Sequence, residues 1–416
     1  MSNKQSNSRI GIFGFGCVGQ GLYDVLQTIE KAGIEVAGIC VKDKEKPRSL
    51  PASAFTYNPQ DLLQDESITI FAELISDADE AYSIVKQALK AGKTIVSANK
   101  KMLASHLPEL IELQQNYNGT LLYEAAVGGS IPIIRTLESY YSSEPLQQVS
   151  GILNGSSNFI LSKMESEGLS YSLALQQAQE LGFAEADPTL DVGGFDSVNK
   201  LCLITAHAFG LTIKPEQVLR FGIDTIKKED LEFAKSMNAR IRLVASAEVT
   251  EDNELSLRVL PTLVTEQQEL YYVTNETNGV TIAPVFAGEQ FIKGLGAGSH
   301  PTGSAVWADV SAALSGYRYS YPKAAIKTIA LNQDNKINIY LRCVAGSTLP
   351  EVNWENLVKV QETREAAYFT AIISVHKLQK IQSYLAGKQI FIAEITAEQA
   401  TNFALKFSEK EEVVYS

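Results

Sequence analysis

Cysteine is scarce in this sequence. The 416 residues contain only four, Cys17, Cys40, Cys202 and Cys343, and no two of them form a CxxC pair. A disulfide framework or a zinc site needs closely placed cysteines, so the sequence argues against both. The four lie in apolar runs typical of strands or helix interiors. We therefore expect buried, unpaired thiols and a cytoplasmic location, where thiols stay reduced.

Basic residues are outnumbered, since 36 Lys and Arg stand against 48 Asp and Glu and the formal charge is -12. Nucleic acids and anionic membranes bind basic surfaces, so we expect neither as a partner. Long apolar runs are also lacking. The longest charge-free stretch, Leu201 to Ile213, is too short to span a bilayer, and the polar N-terminus MSNKQSNSR has no signal-peptide core.

What the sequence does contain, from Arg9 to about Tyr141, is a repeated switch between short apolar runs and longer segments of helical periodicity. This pattern is typical of an α/β fold with a parallel sheet and crossover helices. The predicted strands are Ile10–Phe15, Ile34–Val41, Ile68–Ile75, Thr94–Ala98 and Thr120–Val127, and the clearest predicted helices are Val18–Ala32 and Ala78–Ala91.

The remaining chain reads as α+β structure. A strand is expected at Gln147–Leu153, helices to about Asn238, and strand-like alternation afterwards. A polar break at Leu331 precedes further strands and a helix near Lys377–Leu385. We predict a dinucleotide-binding domain at 1–141, a second domain at 142–300, a return helix at 301–330 and a small α+β C-terminal domain at 331–416.

A GxGxxG motif closes the first predicted strand and opens the first predicted helix. Its residues are Gly14, Phe15, Gly16, Cys17, Val18 and Gly19. Glycines allow a tight turn and a close approach to a pyrophosphate, which the helix N-terminus favours. The next strand follows within about 30 residues, as the motif requires, so dinucleotide binding is predicted.

Charged residues after the second and fourth strands bear on the cofactor. Lys42 and Arg48 favour the 2'-phosphate of NADP, whereas Asp43 leaves NAD open. Lys100 and Lys101 follow the fourth strand, where ligands bind in open parallel sheets, and one of them is expected to face cofactor and substrate. An ordinary surface charge remains the alternative for each.

Four carboxylates and a lysine fall within 16 residues: Glu185, Asp187, Asp191, Asp196 and Lys200. Asp196 and Lys200 are four apart and share one helix face. Lys200 begins an otherwise apolar stretch, LCLITAHAFG, so its ammonium is expected to be partly desolvated. A lysine beside an acid suits proton transfer to a carbonyl oxygen, and a surface ion pair is the alternative.

Two further glycine-rich turns stand out. The turn from Glu124 to Pro132 offers carbonyl oxygens to a hard cation, although the residues alone favour a simple strand-to-helix turn. The loop Gly294–Gly303, which includes Gly298, precedes a predicted helix at Ser304–Leu314 and suggests that the chain returns to the cofactor. His300 is interpreted as a loop histidine with local hydrogen bonds.

The ordered series GFGCVGQG, SANKK, YEAAVGGSIP, GILNGSSNFI, LGFAEADPTLDVGGFDSVNK and GLGAGSHPTGSAV resembles homoserine dehydrogenase over residues 9–322. The resemblance implies NAD(P)-dependent interconversion of homoserine and aspartate 4-semialdehyde in the threonine and methionine pathways. It also implies a Rossmann-type doubly wound parallel sheet interrupted by a catalytic and dimerisation domain, and a homodimer or higher homo-oligomer. Alternatives are another Rossmann oxidoreductase of an amino- or hydroxy-aldehyde, or a non-catalytic dinucleotide sensor.

The resemblance also implies roles for individual residues. Lys200 matches the proton-transfer lysine and Asp196 its neighbouring acid. The expected substrate contacts are Glu185 and Asp191, which hold the amino group, Ser156, where the family commonly has Thr, and Lys100, which also lies near the cofactor. Glu124, Val127, Gly129 and Ile131 match a monovalent-cation site for Na⁺, which reverses the simple-turn interpretation.

The sequence departs from the resemblance beyond Leu331. Family members often carry a βαββαβ amino-acid-sensing domain of the ACT type there. Here too few residues precede Val358 for its first helix, so we interpret 331–416 as a shortened, degenerate version. Regulation by threonine is then doubtful, and a role in assembly is expected instead.

Overall fold

The structure is a computed structural model that describes residues 8–29, 34–325, 329–332 and 334–403. The chain divides into two compact units. The first comprises Met1–Ser143, Cys202–Pro215 and Gly294–Thr328, and the second Glu144–Leu201, Glu216–Lys293 and Ile329–Ser416. The domain boundaries expected at residues 141, 300 and 330 stay predictions.

Strands and helices alternate in the first part of the chain, whereas later in the chain several strands follow one another, as the sequence pattern indicates. The strands are β1 (Ser8–Phe13), β2 (Ile34–Cys40), β3 (Phe55–Thr56), β4 (Ile70–Glu73), β5 (Thr94–Ser97), β6 (Thr120–Leu122), β7 (Leu146–Ile152), β8 (Leu219–Arg220), β9 (Ala239–Val249), β10 (Leu255–Thr265), β11 (Thr277–Pro284), β12 (Gln290–Leu295), β13 (Lys336–Val344), β14 (Glu355–Glu362), β15 (Ala366–Ser374) and β16 (Phe391–Ile395). The α-helices are α1 (Cys17–Thr28), α2 (Gln60–Leu63), α3 (Ala78–Lys90), α4 (Lys100–Tyr117), α5 (Ile133–Arg135), α6 (Gly155–Glu167), α7 (Tyr171–Glu180), α8 (Thr189–Val192), α9 (Phe195–Phe209), α10 (Lys228–Ser236), α11 (Ser299–Leu314) and α12 (Val375–Gly387).

The first unit is built on a six-stranded sheet of order β3-β2-β1-β4-β5-β6. Every pairing in it is parallel. Strands covered on both faces need continuous apolar runs, and Ile10 to Phe13 are accordingly buried. This confirms the α/β prediction with a Rossmann-type doubly wound sheet.

Most predicted elements differ from the structure by a few residues at their ends. The strand expected at Thr120–Val127 stops at Leu122, because the chain turns into a 3₁₀ segment at Glu124–Ala126. The helix expected from Val18 begins at Cys17, and its expected end at Ala32 lies outside the described residues.

Helix α11 begins at Ser299, five residues before the predicted start at Ser304. Pro301 is the reason, since proline suits the first helical turn, where no amide donor is needed. The helix packs against α1 through glycines. A Cβ at Gly21 would lie 2.1 Å from the Ser299 carbonyl oxygen, and one at Gly303 would lie 2.5 Å from the Gly21 carbonyl carbon.

The second unit contains a mixed ten-stranded sheet, ordered β12-β11-β7-β9-β10-β16-β13-β15-β14, with β8 paired to β10. The C-terminal strands continue this sheet, because Thr262 of β10 pairs in parallel with Glu394 of β16. The order β16-β13-β15-β14 is that of a βαββαβ unit, and no helix stands between Val344 and Glu355. The strand order and the missing helix both agree with the prediction of a shortened βαββαβ domain.

The structure corrects the expectation that all four thiols are buried. Cys40, Cys202 and Cys343 are buried, and burial raises the pKa of Cys40 to about 11. Cys17 is exposed. It begins α1 directly after the glycine-rich turn, so the apolar run around it does not cover it.

Candidate active site

The glycine-rich turn has the geometry that a dinucleotide needs. Gly14 has φ +95°, and a Cβ there would lie 2.5 Å from the Leu74 carbonyl oxygen. A Cβ at Gly19 would lie 2.3 Å from the Gly14 oxygen, so neither position accepts a side chain. Gly16 instead faces open space and caps α1 without a side-chain hydrogen bond. The helix N-terminus is therefore open to a pyrophosphate, and the motif fits the cofactor.

The second glycine-rich loop lies beside this turn in the first unit. Ser299 Oγ donates a hydrogen bond of 2.8 Å to the carbonyl oxygen of Cys17. Gly298 before it has φ +118°, a conformation that favours glycine. His300 is exposed, and its Nε2 lies 3.6 Å from Asp24 Oδ2, which is longer than a hydrogen bond, so the expected local hydrogen bonding stays a prediction. The structure thus brings Gly298 to the dinucleotide turn.

The charged loop after β2 is solvent-exposed. Lys42 Nζ lies 3.2 Å from Glu80 Oε2, and its side chain is 78% exposed. Asp43 Oδ1 accepts hydrogen bonds from the amides of Glu45 and Lys46 and so shapes the loop. Arg48 is half-buried, with its guanidinium 5.3 Å from the Phe55 ring centroid.

Lys100 is the first residue of α4, directly after the Asn99 N-cap, whose side chain accepts from the Met102 amide at 3.0 Å. Below this turn, Ser97 Oγ donates 2.6 Å to Glu73 Oε2. Burial raises the pKa of Glu73 to about 7, against the opposing effect of that hydrogen bond. These contacts fix the turn between β5 and α4, where Lys100 lies.

In the second unit, the side-chain amide of Asn154 joins two of the predicted acids. Asn154 caps α6, and its Oδ1 accepts from the Ser157 amide at 2.8 Å. Since Oδ1 is the acceptor, Nδ2 must be the donor, and it bonds Asp191 Oδ1 at 2.7 Å and Asp196 Oδ2 at 2.9 Å. The amide fixes the separation of the two carboxylates.

Lys200 completes this cluster. Its Nζ lies 2.9 Å from Asp196 Oδ2 and donates a hydrogen bond of 2.6 Å to the carbonyl oxygen of Leu153. Lys200 and Asp196 are 5% and 6% exposed. The predicted helix-face pair is present, and it is buried rather than a surface pair. Two acceptors orient the ammonium, as a proton-transfer group requires.

The other expected substrate contacts are more exposed. Glu185 lies at the surface of the segment before α8, and its carbonyl oxygen accepts from Gln179 Nε2 at 3.0 Å. Ser156 Oγ donates 2.5 Å to the carbonyl oxygen of Phe183. The described contacts bring Asp191, but not Glu185 or Ser156, into hydrogen bonding with Asn154.

The expected cation turn contains a buried acid. Glu124 is 3% exposed, and its carboxylate accepts from the amides of Ile134 and Arg135 at 2.8 and 2.7 Å. Burial, followed by the nearby carboxylate of Asp309, raises the pKa of Glu124 to about 8. Arg135 pairs with Asp309 at 2.5 Å. Two buried carboxyls share one arginine here, so a small cation would favour the ionised form of Glu124 over the protonated form, and the residues fit such an ion.

Two groups of this architecture have partners that the sequence did not predict. Asn154 was visible as a polar residue between a strand and Gly155, the usual N-cap position, but its second bonding partners depend on the fold. His207 is buried, with Nδ1 3.0 Å from Glu138 Oε1 and Nε2 2.7 Å from the Tyr123 hydroxyl. Its apolar helix face indicated burial without indicating these partners.

A dinucleotide turn at the carboxyl edge of a parallel sheet, together with a buried Lys–Asp pair, defines the class: an NAD(P)-dependent oxidoreductase. The comparisons with known proteins narrow this class. A homoserine dehydrogenase NAD-binding domain model matches residues 14–124, and a homoserine dehydrogenase model matches residues 132–311. The chain belongs to the homoserine dehydrogenase family.

Similarity extends over most of the chain. A homoserine dehydrogenase of Lactococcus lactis is 32% identical over 402 residues, which cover 90% of this chain and 93% of that protein. The one from Synechocystis is 38% identical over 312 residues, covering 73% and 72%. A solved homoserine dehydrogenase from Thiobacillus denitrificans has a TM-score of 0.80 at 30% identity, covering 94% of this chain and 98% of that one.

A hyperthermophilic archaeal homoserine dehydrogenase solved in complex with NADPH has a TM-score of 0.64 at 26% identity, covering 75% of this chain and 99% of that one. The predicted enzyme class and activity are confirmed by family membership. Among the helices of the described residues, none has the length and apolar character of a membrane span.

Proposed function

We propose that the cluster of Asn154, Asp191, Asp196 and Lys200 carries the interconversion of aspartate 4-semialdehyde and homoserine. The observation that supports this best is the Asn154 amide, which bonds Asp191 and Asp196 beside the buried Lys200. Such a cluster presents one oriented proton donor next to carboxylates that suit a cationic amino group.

Lys200 is the proton-transfer residue in this proposal. In the reducing direction, the carbonyl carbon gains a hydride and the carbonyl oxygen gains a proton from the Lys200 ammonium, which yields the alcohol. In the oxidising direction, neutral Lys200 removes that proton. The bound nicotinamide supplies or accepts the hydride. Asp196 and the Leu153 carbonyl keep Nζ directed during either step.

Substrate holding is assigned to the remaining acids. Asp191 and Glu185 attract the ammonium of the substrate, and Ser156 offers a hydroxyl. The first unit provides Lys100 near the cofactor. Asn154 does not react, and its role is to hold Asp191 and Asp196 at a fixed spacing.

The cofactor is assigned to the turn formed by Gly14, Phe15, Gly16, Cys17, Val18 and Gly19, with Gly298 beside it. We propose use of NADP, because the exposed ammonium of Lys42 is available to a 2'-phosphate, as is Arg48. Glu80 competes for Lys42, so NAD use remains part of the proposal. The NADPH complex of the archaeal relative is consistent with this preference.

A monovalent cation, Na⁺, is proposed at the turn that contains Glu124, Val127, Gly129 and Ile131. The support is the buried carboxyl of Glu124, whose pKa is raised to about 8 by burial and by Asp309. A bound cation would favour the ionised form of this carboxyl and stiffen the turn. We also propose a homodimer or higher homo-oligomer in the cytoplasm.

Steady-state oxidation of homoserine by the purified chain, with NADP and with NAD, tests the proposal. We expect turnover with both cofactors and none with homoserine omitted. The Asp196→Asn and Lys200→Ala variants should bind cofactor normally and lose turnover. Unchanged turnover in both would remove the assignment of the cluster.

A further inference from the structure

The turn between α8 and α9 is clamped by the side chain of Arg220, the last residue of β8. Arg220 Nη1 donates a hydrogen bond to the carbonyl oxygen of Gly193. Its guanidinium carbon lies 3.5 Å from the ring centroid of Phe195, the first residue of α9. A planar guanidinium stacks on a ring and donates in its own plane at the same time, which an ammonium does not do.

The backbone after Arg220 closes against the same turn. The amide of Ile223 donates 2.8 Å to the carbonyl oxygen of Val192. A Cβ at Gly222 would lie 2.4 Å from that oxygen, so the two segments touch through backbone. Gly194 has φ +80°, and a Cβ there would lie 3.3 Å from Arg220 Cγ. These contacts leave the turn little freedom on this side.

The clamped turn carries both acids that the Asn154 amide bridges. Asp191 stands two residues before Gly193, and Asp196 is the second residue of α9. Both carboxylates bond the same Asn154 amide, at 2.7 and 2.9 Å. A shift of the turn therefore changes the position of both acids relative to Asn154 and, through Asp196, relative to Lys200.

Arg220 is itself held by α12 of the C-terminal segment. Gln382 Nε2 donates a hydrogen bond to the backbone carbonyl oxygen of Arg220. Gln379, one turn earlier on the helix, donates 2.9 Å to the carbonyl oxygen of Glu216. Leu219 and Phe221, on either side of Arg220, share a buried cluster with Leu378 and Leu385 of α12. Helix α12 of the C-terminal segment therefore packs directly against the strand that carries Arg220.

We propose that Arg220 is a positioning residue for the reaction, and that α12 holds it in place through Gln382. The inference rests on the proposed roles of Asp191, Asp196 and Lys200. It gives residues 331–416 a function in the catalytic unit of their own chain, separate from assembly and from amino-acid sensing.

A cavity of about 400 Å³ borders Arg220, between the turn, the segment after β8 and α12. This space makes a chemical-rescue experiment practical. In an Arg220→Ala variant, methylguanidinium can enter beside Phe195 and restore the donor to the Gly193 carbonyl. Methylammonium carries the same charge without the planar fork and serves as the matched control.

We expect Arg220→Ala to lower kcat for homoserine oxidation by about tenfold to a hundredfold and to raise the KM for homoserine, because misplacement of about 1 Å costs this much. The cofactor dissociation constant should stay unchanged. Methylguanidinium should recover part of kcat, and methylammonium should not. Wild-type kinetics in the variant, or equal recovery of kcat with methylguanidinium and with methylammonium, would overturn the proposal.

If Arg220→Ala does not fold, Gln382→Ala and Gln379→Ala decide the question. Both remove one side-chain to backbone hydrogen bond from the same helix. We expect Gln382→Ala to lower kcat/KM by about threefold to tenfold, the worth of one neutral hydrogen bond, and Gln379→Ala to leave it unchanged. Equal effects would overturn the link to α12.

Lys200→Ala is measured in the same assays, because it distinguishes a failure of the proposed catalytic cluster from a failure of the positioning role of Arg220. Loss of turnover in Lys200→Ala with wild-type kinetics in Arg220→Ala rejects the positioning role alone. Retained turnover in Lys200→Ala rejects the proposed site, and the role of Arg220 with it.

Discussion

The imidazole Nε2 of His207 lies 2.7 Å from the hydroxyl oxygen of Tyr123, and both side chains are buried. On the other side of the ring, Nδ1 lies 3.0 Å from Glu138 Oε1. An ionised carboxylate only accepts hydrogen bonds, so Nδ1 carries the hydrogen. Burial lowers the pKa of His207 and disfavours the charged ring, so Nε2 accepts from Tyr123. The ring is therefore neutral in a single tautomer, in the middle of a buried polar chain in the first unit.

This arrangement predicts a loss of stability in acid. Burial lowers the pKa of His207 from 6.5, against the opposing effect of Glu138. The unfolded chain therefore takes up a proton that the folded chain refuses, so the His207 contribution to stability is complete above about pH 6.5 and falls as the pH drops below it. The raised pKa values of Glu73 and Glu124 act in the opposite direction over this range, so the effect is measured as the difference in thermal midpoint between wild type and a His207 variant.

The His207→Gln variant tests the origin of this effect. It should lose about 1–3 kcal/mol of stability at neutral pH, because buried partners lose hydrogen bonds. The difference in midpoint between wild type and variant should then shrink as the pH falls below about 6.5. A difference that stays constant would show that another group titrates.

Lys200→Ala should lower turnover by about 100-fold, the usual effect of losing a positioned acid or base, while cofactor binding is retained. Lys163→Ala is a matched control, since Lys163 forms an exposed pair with Glu167 at 2.6 Å with the same four-residue spacing. The control should keep wild-type kinetics. A reduction below about fivefold in Lys200→Ala would contradict the assigned role.

Two substitutions at Asn154 separate its two functions. Asn154→Ser keeps a good N-cap residue for α6, yet it removes the donor to Asp191 and Asp196. We expect kcat/KM to fall by about tenfold or more, as two charge-assisted hydrogen bonds are lost. Asn154→Asp adds a third carboxylate and should be worse. Activity in the aspartate variant above that of the serine variant would argue against the bridging role.

Lys42→Ala should weaken NADP binding more than NAD binding, by an amount of about 1.5–3 kcal/mol for a lost charge-assisted contact. Glu80→Gln should do the opposite, because it releases Lys42 from its present partner at 3.2 Å. Dissociation constants from fluorescence titration check both. Equal losses for the two cofactors would mean that Lys42 is only an exposed loop charge.

Truncation after Ala330 should damage the second unit as well as assembly. Arg258 of β10 is 7% exposed and donates through Nε to both carboxylate oxygens of Glu394, at 2.9 and 2.8 Å. Without β16 this cation loses a partner and β10 gains an open edge. We expect smaller oligomers or poor solubility by light scattering.

Threonine should inhibit the intact chain only weakly, since the first helix of the βαββαβ pattern is missing between Val344 and Glu355. Activity measured with added threonine checks this. Strong inhibition that disappears on truncation would show that the shortened segment still binds the amino acid.

The sequence predicts local features of this protein well. Apolar runs and GxGxxG are sufficient for the first sheet, because parallel strands are apolar on both faces and the turn requires glycine. The spacing of Asp196 and Lys200 likewise predicts their contact. The burial of these two side chains is not predictable, since it depends on segments far away in the chain.

Features that join distant segments were not predictable. The pairing of Thr262 with Glu394, the stacking of Arg220 on Phe195 and the bonds from Asn154 to two acids all link separate elements. Their sequence surroundings resemble those of ordinary surface or capping residues. Propensity and periodicity describe one element at a time, so they carry no information on such pairs.

The glycine contact between α1 and α11 has a consequence for how the chain is made. Gly21 is synthesised near the beginning, but Gly303 follows only after two of the three segments of the second unit, Glu144–Leu201 and Glu216–Lys293, have been synthesised. Until then the α1 face stays without its covering helix, and the first unit is incomplete. Closing such a sequence-distant contact is slow. We therefore expect the nascent chain to depend on chaperones and to gain cofactor affinity only late in its synthesis.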